Sequence, residues 1–103
     1  MDLVLRAVSD PSRRAILDLL AGGERAVNDL LAHFTFSQPA LSKHLRVLRE
    51  AGLVAVRAAG RKRLYSLQAE GLRSVAEWVA HYERFWTNKL DALGDVLDRE
   101  AGR

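Results

Sequence analysis

Residues 37–67 read SQPALSKHLRVLREAGLVAVRAAGRKRLYSL, and the hydrophobic period changes once within them. Leu41, Leu45 and Leu48 fall on one stripe of a helix, with Ala40 and Val47 flanking. Ser37 suits the N-cap of that helix, and Ala51-Gly52 suits its end. Its other face carries Gln38, Ser42, Lys43, His44 and Arg46, so a hydrogen-bonding side opposes a leucine side. After Gly52 the period falls toward two. Leu53–Arg57 predicts a short strand, Ala58–Lys62 a turn and Arg63–Leu67 the returning strand, with Leu64 and Tyr65 on opposite faces. The expected hairpin has a basic tip: Arg61 and Lys62, flanked by Arg57 and Arg63.

Upstream, residues 2–8 predict a short helix with Leu3, Val4 and Val8 on one side. Asp10 suits an N-cap and Pro11 the first helical position, where its missing N–H costs nothing. That helix runs to about Ala21 with Ala15, Ile16, Leu19 and Leu20 inward, and Gly22-Gly23 ends it. A further helix fits Val27 to about His33, and Phe34 and Phe36 are read as core. Downstream, Val75, Val79, Tyr82, Trp86, Leu90, Leu93 and Leu97 step by four and three residues, and Leu72, Trp78 and Phe85 widen the stripe. This predicts one long helix from about Glu70 to Leu97. At about 42 Å it exceeds the diameter of a small domain, so its aromatic face calls for a second copy of the chain. The expected dimer interface is Leu3, Val75, Val79, Tyr82, Trp86, Leu90 and Leu93. The whole chain, 1–103, is read as a single domain with residues 70–97 as its dimerisation helix.

The expected fold is therefore mainly α with a small β-hairpin, in the order α-α-α-α-β-β-α. This is a winged helix-turn-helix, dimeric through its terminal helices. In such a module the second helix of the pair enters the major groove. The types exposed on it fit that task. Gln bonds adenine bidentately, Lys reaches guanine acceptors, and Ser bonds phosphate or base. Ala40 is small enough to allow close approach or to touch a thymine methyl. Arg57, Arg61, Lys62 and Arg63 on the wing would bind phosphates or lie in the minor groove, adding affinity more than base choice.

Charge agrees with this layout. Residues 1–34 carry four basic and five acidic side chains, residues 35–66 seven against Glu50 alone, and residues 67–103 five against seven. The segments are thus −1, +6 and −2 in a chain of net charge +3. A basic centre between mildly acidic ends is the footprint of a nucleic-acid reader.

The stretch SQPALSKHLRVLREAGLV followed by VRAAGRKRLYSL resembles the recognition helix and wing of the ArsR (ArsR/SmtB) family of bacterial repressors. DPSRRAILDLLAGGERAVNDLLAHF resembles the family's preceding helices, so the likeness covers residues 3–70. HYERFWTNKLDALGDVL resembles the dimerisation helix of a cysteine-free branch. The resemblance implies a homodimeric winged helix that binds an inverted-repeat operator and blocks transcription, often of its own operon. It also implies that Ser37, Gln38, Ser42, Lys43 and His44 face the groove and that the wing carries Arg61 and Lys62.

Other classes are excluded or weakened. The chain has no cysteine, so thiolate metal sites, disulfides and thiol redox sensing are ruled out. A metal-site type of the family that the chain resembles sits on the last helix and needs an Asp and His near its start and a further pair about a turn before its end; here His81 is the one histidine, with Glu77, Asp91 and Asp95 as carboxylates, a poor match. No metal or cofactor is expected, and any effector is left unknown. There is no Gly-rich phosphate loop and no convergent set of catalytic side chains, so no enzyme is expected. No apolar run reaches the roughly 18 residues of a membrane span, and the first residues lack a leader pattern, which places the protein in the cytoplasm. The rival reading is a winged-helix protein-interaction module without specific DNA binding.

Overall fold

The computed structural model describes residues 1–86. Residues 1–73 form one compact unit, and a second begins at Ser74.

The first unit opens with α1 (Asp2–Val8) and α2 (Pro11–Leu20). Asp10 is the N-cap of α2: its carboxylate accepts the Ser12 N–H at 2.7 Å, and Pro11 occupies the first turn. Partial burial acts to raise the Asp10 carboxyl, but the Ser12 and Arg13 amides and the Arg13 guanidinium outweigh it and hold it below the usual value. The two arginines that follow close the end of α1. Arg13 Nε donates to Ala7 O at 2.7 Å, and Arg14 Nη1 donates to Val8 O at 2.7 Å. Cations on the last carbonyls of a helix also oppose its dipole. The sequence DPSRR is thus one device that ends a helix and starts the next.

The core gathers Ile16, Leu20, Leu30, Leu41, Leu45, Leu48 and Leu53, all nearly inaccessible. On α2 the buried stripe is Ile16, Leu17 and Leu20, whereas Ala15 and Leu19 are only half-buried. The expected inward set was rotated by part of a turn, because Ala15 and Leu19 line a shallow groove with Phe34 instead. On α1 the buried pair is Val4 and Ala7, and Leu3 is left exposed. Phe34 and Phe36 are also only half-buried: they stack on each other at 4.7 Å in the connection before α4.

Three short strands form an antiparallel sheet in the order β1-β3-β2: β1 (Arg25–Ala26), β2 (Val54–Ala59) and β3 (Lys62–Leu67). A two-stranded hairpin was expected. The third strand pairs through two residues only, Arg25 with Tyr65 and Ala26 with Leu64, too few to leave an alternating pattern. The wing strands are longer than expected because the loop between them is just Gly60-Arg61, with Gly60 supplying φ 63°.

Between β1 and β2 lie α3 (Val27–Leu31) and α4 (Gln38–Glu50). The end of α4 is a Schellman closure: Gly52 N–H donates to Arg49 O and Leu53 N–H to Leu48 O, both at 2.9 Å. Gly52 holds φ 77°, and a side chain at Gly71 would collide with the Gly52 carbonyl. Two glycines therefore let the chain pass tightly behind the helix.

A 3₁₀ turn (Ala69–Leu72) leads into α5 (Arg73–Ala80). Of the helix expected from 70 to 97, the described part holds α5 (Arg73–Ala80), and residues 87–97 lie outside the described residues. The ladder gives way to i→i−3 bonds from the His81 and Tyr82 amides to Trp78 and Val79 carbonyls, a tightened turn before helical backbone at 83–86. Leu90, Leu93 and Leu97 lie outside the described residues. Within the second unit Trp78, Tyr82, Phe85 and Trp86 are about half exposed, and Val75 and Val79 are half-buried. Among the described residues no helix is long and apolar enough to cross a membrane.

Candidate nucleic-acid interface

Helix α4 is divided lengthwise. Leu41, Leu45 and Leu48 lock one side into the core, and this fixes the opposite side outward. Gln38, Ser42, Lys43 and Arg46 are exposed there, and so is Arg49. The other expected residues of α4 are placed differently. Ser37 is the N-cap, and its Oγ accepts the Ala40 N–H at 3.3 Å. Ala40 is half-buried. His44 is half-buried with its ring 5.4 Å from that of Phe36, and its Nδ1 is buried without a partner.

The wing tip presents Arg61, Lys62 and Arg63, all exposed. Arg57 lies on β2 and is engaged: its guanidinium meets the Glu24 carboxylate through two bonds of 2.8 and 2.9 Å. Helix and wing meet across two shallow depressions. One, of about 570 Å³, is walled by Ser42, Lys43, Arg46 and Arg49 from α4 and by Arg63 and Tyr65 from β3. The other, of about 380 Å³, joins Gln38 to Arg61, Lys62 and Arg63, and Asp29 also lines it. Arg63 belongs to both, so α4 and the wing share one continuous basic surface.

No carboxylate lines the larger depression. Among the described residues, none of Lys43, Arg46, Arg49, Arg61, Lys62 or Arg63 forms an ion pair. Six cations outside any ion pair on one face create a positive field that favours an anion. Groups of three or more His, Asp or Glu side chains suited to a metal ion are absent among the described residues.

Two participants lie outside the residues assigned above to the groove and the wing: Arg49, which the sequence leaves open between a DNA contact and a solvated charge, and Glu24. Arg49 follows Ser42 and Arg46 at helical spacing, a signal present in the sequence. Glu24 sits 33 residues from Arg57, and nothing local marks it as that residue's partner.

A helix pair whose second member is polar outward, followed by a basic hairpin, defines a winged helix-turn-helix protein. Comparison with known proteins carries this further. Residues 10–56 match the model of the bacterial regulatory protein, arsR family. The HTH-type transcriptional regulator Rv2034 of Mycobacterium tuberculosis is 39% identical over 96% of this chain and 90% of its own. The transcriptional repressor SdpR of Bacillus subtilis is 38% identical over 87% of this chain and 100% of its own. The solution structure of the homodimeric winged helix-turn-helix DNA-binding domain of Mb0332 from Mycobacterium bovis superposes with a TM-score of 0.65. It is 30% identical and covers 80% of this chain and 79% of its own. The chain belongs to the ArsR family of DNA-binding transcriptional regulators.

Proposed function

We propose that the chain is a homodimeric repressor that reads an inverted-repeat operator, its own promoter included, with α4 and grips the flanking backbone with the wing. The observation that carries this reading is the basic surface shared by α4 and the wing tip. Gln38, Ser42, Lys43 and Arg46 would face base edges and nearby phosphates, and Arg61, Lys62 and Arg63 would take phosphates beyond them. Two copies would present their reading helices about one DNA turn apart, roughly 34 Å. Repression is favoured by the relative SdpR, a transcriptional repressor. Dimerisation is favoured by the homodimeric Mb0332 domain and by the exposed Trp78, Tyr82, Phe85 and Trp86. An inducer would act without thiolate ligands, since the chain has no cysteine. The protein works in the cytoplasm, on DNA, and performs no catalysis.

Binding of labelled upstream duplexes, followed by fluorescence anisotropy, tests the division of labour. Gln38→Ala is expected to change which base is preferred at one position of each half-site, with discrimination there falling by about 1 to 3 kcal/mol. Arg61→Ala is expected to weaken all duplexes alike and to lower the salt slope by about one for each phosphate it no longer neutralises. Identical behaviour of the two variants contradicts the assignment. Separately, Trp86→Ala is expected to weaken self-association about thirtyfold or more, the mark of an aromatic anchor in an interface. A dimer constant unchanged in sedimentation equilibrium would move the interface away from Trp86.

A further inference from the structure

Arg57 stands on the wing, yet it points its charge at Glu24 rather than into either depression. The sheet explains how they meet. Strand β3 runs between β1 and β2, and Arg57 is opposite Leu64. Glu24 directly precedes β1, whose Arg25 is opposite Tyr65, so extending the register by one residue sets Glu24 beside Ser66. Positions 64 and 66 share one face of β3, and side chains beside them share that face too. The ion pair therefore reaches over β3 from one edge strand to the other. Tyr65 points to the opposite face, where it is buried beside α4.

The pairing is fork to fork, Nε to Oε2 and Nη2 to Oε1, the geometry that adds direction as well as attraction. Its hydrogen bonds and charge hold the Glu24 carboxyl below its ordinary range and raise the Arg57 guanidinium. It also sits where the wing is least supported. β1 stops pairing at Leu64, so the hairpin beyond, Ala58–Ala59 against Lys62–Arg63, has neighbours on one side only. Those last residues carry the cations of the tip.

We propose that Glu24 and Arg57 are positioning residues for DNA binding: a strap across the sheet that sets the pitch of the wing. Through it Arg61, Lys62 and Arg63 are held in register with α4, and Arg57 itself makes no phosphate contact. The proposal rests on the DNA reading given above. Its physical basis is preorganisation. A wing already held in its binding pose loses less freedom when the backbone arrives. An exposed pair adds little to overall stability, so the effect belongs in binding rather than in unfolding.

The test uses the full chain, labelled duplexes enriched from a random pool by the wild type, and a salt series. The variants are Glu24→Ala, Arg57→Ala, both together, and the exchange Glu24→Arg with Arg57→Glu. Each single variant is expected to weaken binding about two- to fivefold, the range of an exposed pair. The double variant should be no worse than either single one, because both remove the same interaction. The exchange should recover most of the loss. The salt slope of Arg57→Ala should equal that of the wild type, and the thermal midpoints should move by no more than about 4 °C. Glu24→Ala is the decisive arm, since it removes a negative charge beside the wing and is still expected to weaken binding. Tighter binding by Glu24→Ala, with a slope lowered by about one in Arg57→Ala, would make Arg57 a phosphate ligand and overturn the strap. Variants indistinguishable from the wild type, while Arg61→Ala is weakened, would overturn it as well. A wild type that enriches and binds no duplex would overturn the DNA reading and the strap with it.

Discussion

Raising the salt from about 50 to about 200 mM is expected to weaken DNA binding by about three orders of magnitude or more. The cause is the number of free cations on one face. Lys43, Arg46, Arg49, Arg61, Lys62 and Arg63 are exposed, and none of them is in an ion pair among the described residues. A dimer doubles that number. Each phosphate neutralised releases condensed counterions, and about six to ten neutralised phosphates correspond to a loss of about 10³ to 10⁵ over this salt range. Surface pairs within the protein would blunt the effect, because a cation already paired gains less from a phosphate. Arg57, bound to Glu24, is therefore left out of the number. A slope near zero would fit a hydrophobic protein interface and bring forward the interaction-module reading.

Leu45→Ala is expected to cost about 3 kcal/mol of folding stability. Leu45 is 1% exposed, on the central turn of α4, between Leu41 and Leu48 at 0%. Its removal leaves a void that the surrounding leucines cannot close without moving the helix that carries Gln38, Ser42, Lys43 and Arg46. Domains of this size carry about 5 to 15 kcal/mol in total, so the loss is a large share. Urea unfolding should show the midpoint falling at constant slope, and DNA affinity should fall by more than the unfolded fraction explains. Leu45→Met keeps volume and apolarity and is expected to cost less than about 1.5 kcal/mol. A small cost for the alanine variant would mean that α4 is not anchored by this stripe.

Much of the fold is legible because its signals are local. The 41–45–48 spacing, the Ser37 cap and the glycine at 52 lie within one helix and its ends, and the structure has all three where the sequence has them. The switch to alternation after Gly52 gives the wing for the same reason. What was misread depends on residues far apart. Strand β1 is two residues long and exists only because β3 is there to pair with it. The choice of Leu17 over Leu19 as the buried residue of α2 is set by which neighbours it packs on, not by helical period, since both fit a stripe. The apolar steps through Val75, Val79 and Tyr82 continue past Ala80, but they describe side chains. They carry no word of the hydrogen bonds that tighten at His81 and Tyr82. On α4, the exposed placement of Gln38, Ser42, Lys43 and Arg46 could be found from their spacing opposite the leucines. The engagement of Arg57 could not, because its partner Glu24 is 33 residues away.

If α4 reads sequence in double-stranded DNA, the purified chain must choose among duplexes by their bases. Selection of duplexes from a fully random pool by the purified chain, followed by sequencing, tests it most directly. One enriched motif is expected, made of two inverted half-sites about one helical turn apart, with a base position inside the half-site that Gln38→Ala alters and Arg61→Ala leaves in place. A pool that stays random after repeated rounds, or an enriched motif identical in wild type and Gln38→Ala, would contradict it.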